Sequence, residues 1–139
     1  MYPKAAGFTL LELLVVLAII ASASVAVVLS LRDSPQTRLQ AEAERVIAVL
    51  EATRADARAS NTAMRWRADD KGFQVHTLPA YGPPVHNMAW LHKGTQALPT
   101  DMLISPEPVQ ARSRLNLSHD SGASLSIATD GAAAFKVLP

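Results

Sequence analysis

Hydrophobic positions change period twice along the chain. From Phe8 to Leu31 the side chains are apolar or small except for one charge, Glu12, and Arg32-Asp33 closes the run. Those twenty-four residues, at ~1.5 Å rise each, are long enough to cross a hydrocarbon core of ~30 Å, so residues 8–31 are predicted as a membrane helix. Asp33-Ser34-Pro35 reads as a break or kink, with Ser34 as N-cap and Pro35 at the first helical position. From Pro35 to Ser60 the spacing becomes that of an amphipathic helix. Leu39, Ala43, Val46, Ile47, Leu50 and Ala57 mark its apolar face; Arg38, Glu42, Arg45, Glu51, Arg54 and Arg58 mark the face expected to be wet. The heptad does not persist, so this stripe is expected to pack on its own domain rather than in a coiled coil. Together the two segments are expected to form one long helix whose lower half packs on the globular part.

From Ala63 the period becomes two. Met64-Arg65-Trp66-Arg67-Ala68 and Phe73-Gln74-Val75-His76-Thr77-Leu78 alternate across an Asp69-Asp70-Lys71-Gly72 turn, which predicts a hairpin with Met64, Trp66, Phe73 and Val75 inward. Residues Pro79 to Met88 read as a surface loop with three prolines and a glycine. Short apolar pieces follow at Ala89–Leu91 and Met102–Ile104, then three strands at Arg114–Ser118, Ala123–Ala128 and Ala133–Leu138, the last two joined at Thr129-Asp130-Gly131. A helix followed by many short strands predicts an α+β domain: a long N-terminal hydrophobic spine helix packed on a C-terminal antiparallel β-sheet or sandwich.

Charge adds little to this picture. The 139 residues carry a formal net charge of +1, and from Arg32 onward twelve Lys and Arg face eleven Asp and Glu. No basic stripe or acidic tail points to nucleic acid or to a charged substrate. Cysteine is absent, which excludes disulfides and Cys-based metal sites. A secretory signal peptide is a competing reading of the N-terminus, with Lys4 as the basic start and Ala21-Ser-Ala-Ser as the cleavage site. Glu12 interrupts its apolar region, and the apolar run continues past the Ala/Ser stretch, so a retained helix fits better. Lys4 orients that helix with its N-terminus in the cytoplasm.

Glu12 is the anomaly. At the centre of a membrane helix a carboxylate would cost on the order of 2.5–3.5 kcal/mol; near the end the cost is smaller, but a partner or an escape to the headgroups is still required. The stretch Gly7-Phe8-Thr9-Leu10-Leu11-Glu12, followed at once by the apolar run, resembles the processing site of type IV pilin-like proteins. That resemblance implies a leader over 1–7, cleavage by a prepilin peptidase between Gly7 and Phe8, and N-methylation of the new terminal Phe8. It also implies that Glu12 pairs with the free amine of an adjacent subunit during filament assembly. A helix, a hairpin containing Trp and a C-terminal hairpin with an Asp-Gly turn further resemble the minor pseudopilins of the GspH/FimT class. Implied with them are a continuation of the spine helix over 32–61 and a β-rich periplasmic domain over 62–139. The implied partners are the major pseudopilin, other minor pseudopilins, the prepilin peptidase/methyltransferase and the bacterial inner membrane.

No catalytic constellation emerges. His76, His86, His92 and His119 lack ligand spacing, no serine sits in a Gly-x-Ser-x-Gly turn, and Asp69-Asp70 lacks the spaced carboxylates of a Ca²⁺ loop. Trp66 and Trp90 are expected in the core, and no cofactor is expected. Three functions compete: a minor pseudopilin of a type II secretion system, a minor pilin of a type IV pilus serving assembly or DNA uptake, and a membrane-anchored periplasmic enzyme or binding domain. The C-terminal Phe135-Lys-Val-Leu-Pro has one Lys and no arginine-rich tail, so no nucleic-acid partner is expected, although Arg112 and Arg114 leave that reading open. Absence of a site disfavours the enzyme.

Overall fold

The computed structural model describes residues 9–30, 34–79 and 81–138, with backbone alone for 26–30. Lys4, Gly7, Phe8, Arg32 and Asp33 lie outside the described residues. The chain divides into two compact units between residues 33 and 34.

The first unit contains helix α1, Leu10–Ser30. Its sequence has no polar face, and its described large side chains are exposed all round, the least exposed being Val16 at 46%. A helix that is apolar on every side has no preferred face to bury against its own domain.

The second unit begins with α2, Pro35–Ser60, whose limits follow from its capping residues. Ser34 has extended backbone (φ −66°, ψ 151°) and its hydroxyl accepts from the Thr37 N–H at 3.1 Å. Pro35 lacks an N–H where the helix would leave one unpaired. At the other end Asn61 adopts the left-handed conformation (φ 48°) and closes the last turn. The break expected at Asp33-Ser34-Pro35 is found at Ser34, which caps α2 with Pro35 as its first residue. The helix that packs on the sheets is α2.

Eight strands follow among the described residues: β1 Met64–Ala68, β2 Gly72–Thr77, β3 His86–Ala89, β4 Thr95–Leu98, β5 Asp101–Ile104, β6 Ser113–His119, β7 Ser124–Thr129 and β8 Lys136–Leu138. They form two four-stranded antiparallel sheets, ordered β3-β2-β1-β5 and β4-β6-β7-β8. The fold is α+β, with α2 touching strands of both sheets. Leu39, Ala43, Val46, Leu50 and Ala57 are buried as their spacing predicts, and they share one core with Trp66, Phe73, Val75, Ile104, Leu115, Leu117 and Ile127. Each large apolar side chain fully removed from water contributes ~1.5–3 kcal/mol. That core holds a disulfide-free domain together.

The first hairpin forms as expected, with Met64, Trp66, Phe73 and Val75 buried and Ala68 opposite Phe73. Elsewhere the structure differs from the sequence reading. Glu42 and Arg54, assigned to the wet face of α2, are 1% and 3% exposed. The 79–88 loop ends earlier, because His86–Ala89 pairs with β2 as an edge strand. Strand β4 was not anticipated. The final strand is shorter than 133–138: the Ala133 N–H and C=O are engaged by Asp130, Thr129 and Arg54, which keeps residues 133–135 in the connecting loop.

Candidate processing and assembly segment

Thr9 opens α1 and Glu12 stands in its first turn. The Glu12 N–H donates to Thr9 Oγ1 at 3.2 Å, and Glu12 Oε2 accepts from the Thr9 N–H and hydroxyl, each at 3.4 Å. This reciprocal arrangement is a capping box, which satisfies N–H groups that an isolated helix start leaves unpaired. The carboxylate also lies where the helix dipole favours negative charge. Glu12 therefore has a local role within the single chain, in addition to any it has between chains. The signal was present as Thr-x-x-Glu before an apolar run, a pattern the reading of GFTLLE as a processing site passed over.

Farther along α1 the polar side chains are neutralised within the helix. Ser22 Oγ donates to the Ala18 carbonyl at 2.7 Å and Ser24 Oγ to the Ile20 carbonyl at 2.8 Å. Back-bonded serines present no unspent donor to an apolar medium. Among the described residues, no helix is long and apolar enough to cross a membrane.

In the second unit, charged residues of α2 act as buried clamps. Glu42 Oε2 accepts from the Leu91 N–H at 2.7 Å, while Glu42 Oε1 takes Arg45 at 3.3 Å and Arg45 donates to the Ala89 carbonyl at 2.8 Å. Three turns on, Arg54 donates to Glu51 at 3.0 Å, to the Ala133 carbonyl at 3.0 Å and to the Gly131 carbonyl at 2.9 Å. Glu51 in turn accepts from the Phe135 N–H at 2.8 Å. The two Glu/Arg pairs thus fasten one loop from each sheet to the same helix. Burial of these charges is tolerable because each finds backbone partners as well as its opposite charge.

The remaining candidates stay apart. His76 faces Gln74, His86 lies 3.9 Å from Asp56, and His119 is bonded to its own turn. Among the described residues no group of His, Asp and Glu could hold a metal ion. Asp69 Oδ1 accepts from the Lys71 and Gly72 N–H groups, so it builds the hairpin turn. Asp130 does likewise at the β7–β8 loop. N–H bonds from Ala133 and Ala132 hold its carboxyl below the usual aspartate range, with Arg112 adding a smaller push the same way. Trp66 and Trp90 are both buried.

Comparison with curated proteins and with solved structures finds no match. Residues 2–28 match the family model described as the prokaryotic N-terminal methylation motif. That stretch contains the capping box and most of α1, so the chain carries, at the head of an all-round apolar helix, the N-terminal methylation motif of type IV pilin-like proteins.

Proposed function

We propose that the chain is a minor pseudopilin, a structural subunit of the periplasmic pseudopilus of a type II protein secretion system. In this reading a prepilin peptidase cuts between Gly7 and Phe8 and Phe8 is N-methylated. Residues 8–31 anchor the subunit in the bacterial inner membrane, and the β-rich domain stands in the periplasm beside the major and other minor pseudopilins. The observation that carries the reading is the methylation motif running directly into a helix with no polar face. Such a helix suits apolar surroundings: first lipid, then the helices of neighbouring subunits. Glu12 has a role in both settings. In the free subunit it caps α1; in the assembly it pairs with the amine on a neighbour's Phe8. Opposite charges at ~4 Å attract by ~4 kcal/mol at an effective dielectric near 20, so a subunit out of register loses that attraction.

Three measurements test this. Mass spectrometry of the mature protein is expected to find a methylated N-terminus at Phe8; any other start refutes the cleavage assignment. Glu12→Gln separates the two roles of the carboxylate, since Gln preserves the capping box but carries no charge. The variant is expected to be cleaved yet to enter filaments poorly, and normal incorporation would leave capping as the sole role. Deletion is expected to trap secreted proteins in the periplasm without affecting pilus functions.

The second reading is a minor pilin of a type IV pilus, active in assembly or DNA uptake. Register favours it at one point: Arg114, Ala128 and Lys136 lie directly opposite one another across β6, β7 and β8, which puts two exposed cations on one face. A mobility shift with duplex DNA at low salt, lost as salt rises, would move the assignment to the pilus.

A further inference from the structure

We infer that Asp130–Gly131 is a latent modification site: the docked β7–β8 loop keeps this pair from cyclising, and opening of the loop lets Asp130 convert to isoaspartate, after which the loop cannot close again. It is the one Asp-Gly or Asn-Gly pair in the sequence. A glycine after the aspartate has no side chain to shield its amide nitrogen from close approach. In the reaction Gly131 N gives up its proton and bonds to Cγ of Asp130. The carboxyl loses a hydroxyl, so one water leaves and a succinimide ring forms. Water then opens the ring at the main-chain carbonyl of residue 130. The chain now runs through Cβ and Cγ, and the original mass is restored.

In the folded chain each reacting group is tied elsewhere. The Gly131 N–H donates to Thr129 Oγ1 at 3.0 Å, in a buried bond that must break before the nitrogen can lose its proton. Asp130 Oδ1 accepts from the Ala133 N–H at 2.7 Å and from the Ala132 N–H at 3.0 Å, which fixes the carboxyl on the residues beyond Gly131. Those bonds also favour the ionised form, and a carboxylate is a poor electrophile. The Gly131 carbonyl takes the Gln110 N–H at 3.0 Å and Arg54 at 2.9 Å. With both its N–H and its C=O engaged, Gly131 cannot swing its nitrogen onto Cγ while the loop is docked.

The same fit makes the change one-way. Isoaspartate adds a methylene to the main chain ahead of Gly131 and leaves no carboxylate at Cγ for the Ala132 and Ala133 N–H groups. The loop has no space to absorb the shift, since even a Cβ on Gly131 would overlap the Gln110 carbonyl oxygen. A reversible local opening thereby becomes irreversible through chemistry that the closed loop forbids. The inference concerns the second unit alone and is independent of the pseudopilin reading.

The test follows isoaspartate at residue 130 in the full-length chain, held in detergent at pH 7. Peptide mapping with electron-transfer fragmentation distinguishes it from aspartate of equal mass. Formation in the folded chain is expected to be at least about tenfold slower than in urea above the unfolding midpoint. In urea below the midpoint the rate is expected to rise in step with exchange of the Gly131 amide, because both need the same opening. Thr129→Val keeps the shape of the side chain and removes the acceptor, so it is expected to speed the reaction in a chain of unchanged circular dichroism; should the variant not fold, the urea series decides. The isoaspartyl chain, once isolated, is expected to unfold at lower urea than the aspartyl chain. Equal rates in the folded and unfolded chains, a rate that does not follow the Gly131 amide, no gain from a folded Thr129→Val, or an isoaspartyl chain with an unaltered midpoint would each overturn the inference.

Discussion

Two helices in this chain each place a glutamate among apolar residues, and they treat it in opposite ways. Glu12 of α1 is exposed and bonds only within its own first turn. Glu42 of α2 is 1% exposed and reaches a backbone N–H forty-nine residues away. The difference follows from the helices themselves. α2 has one apolar face, finds its core inside its own chain, and uses charge to fasten loops onto that core. α1 has apolar residues on every side, and its carboxylate bonds within the first turn instead of fastening a distant segment. Internal stability belongs to α2 and its sheets.

The sharpest break of this contrast is a matched pair of truncations. Trp66→Ala removes a fully buried side chain from the second unit and is expected to lower its unfolding free energy by ~3–5 kcal/mol. Leu17→Ala, at a position 54% exposed, is expected to leave that transition within ~0.5 kcal/mol. Urea melts followed by tryptophan fluorescence measure both, and equal effects would show α1 to be part of the core after all. Next in size is Glu42→Ala. It leaves the part-buried Leu91 N–H without its acceptor and Arg45 without its counter-charge; the guanidinium side chain is 25% exposed and regains some water. The expected loss is therefore ~2–3 kcal/mol rather than the full penalty of a wholly buried pair. Gly131→Ala is expected to cost ~1–3 kcal/mol, because the backbone there has φ +97° and an added Cβ would lie 1.9 Å from the Gln110 carbonyl oxygen. Its unfolding midpoint checks this, and an unchanged midpoint would mean the 110–131 contact relaxes freely.

Legibility in the sequence divided along the same line. The α2 limits could be read directly, since Ser-Pro starts a helix by a local mechanism. The β1–β2 hairpin could be read because alternation and an Asp-rich turn agreed. Glu42 and Arg54 could not. A charge on an amphipathic helix is assigned to water by default, and the partners that make burial tolerable, at residues 91, 131 and 133, are brought near only by the fold. Strand β4, Thr-Gln-Ala-Leu, offers two apolar residues in four; Thr95 is buried there because its hydroxyl is satisfied by the His92 carbonyl at 2.9 Å. In the assembly segment the motif stood plainly in the sequence, yet the capping partnership of Thr9 and Glu12 was hidden behind the better-known use of the same letters.

That partnership gives a smaller effect. Thr9→Ala deletes the side-chain cap and is expected to destabilise the start of α1 by ~0.5–1 kcal/mol, leaving the second unit untouched. Amide exchange of residues 10–13 in detergent reads it out. Exchange as slow as in the unaltered chain would mean that the capping box adds nothing once α1 sits in an apolar medium.

The smallest effect is a pH dependence confined to the second unit. Asp130 accepts from two loop N–H groups more strongly as a carboxylate than as the acid, so folding holds its pKa below the unfolded value. For a depressed carboxyl the stabilisation is present in full above the unfolded pKa of ~3.9 and disappears as pH falls through the lower folded value. Asp130→Ala should therefore unfold at lower urea than the unaltered chain at pH 7, and the gap should narrow below about pH 4 as the wild-type side chain takes up its proton. The carboxyl is fully exposed, so water screens much of the interaction and the shift in midpoint should be the least of the series. Glu12 provides the control: Glu12→Ala should leave this transition unmoved across the same pH range, because its bonds lie wholly within α1. A pH-dependent gap for Glu12→Ala in the melting of the second unit would tie the two regions together and undo the contrast between them.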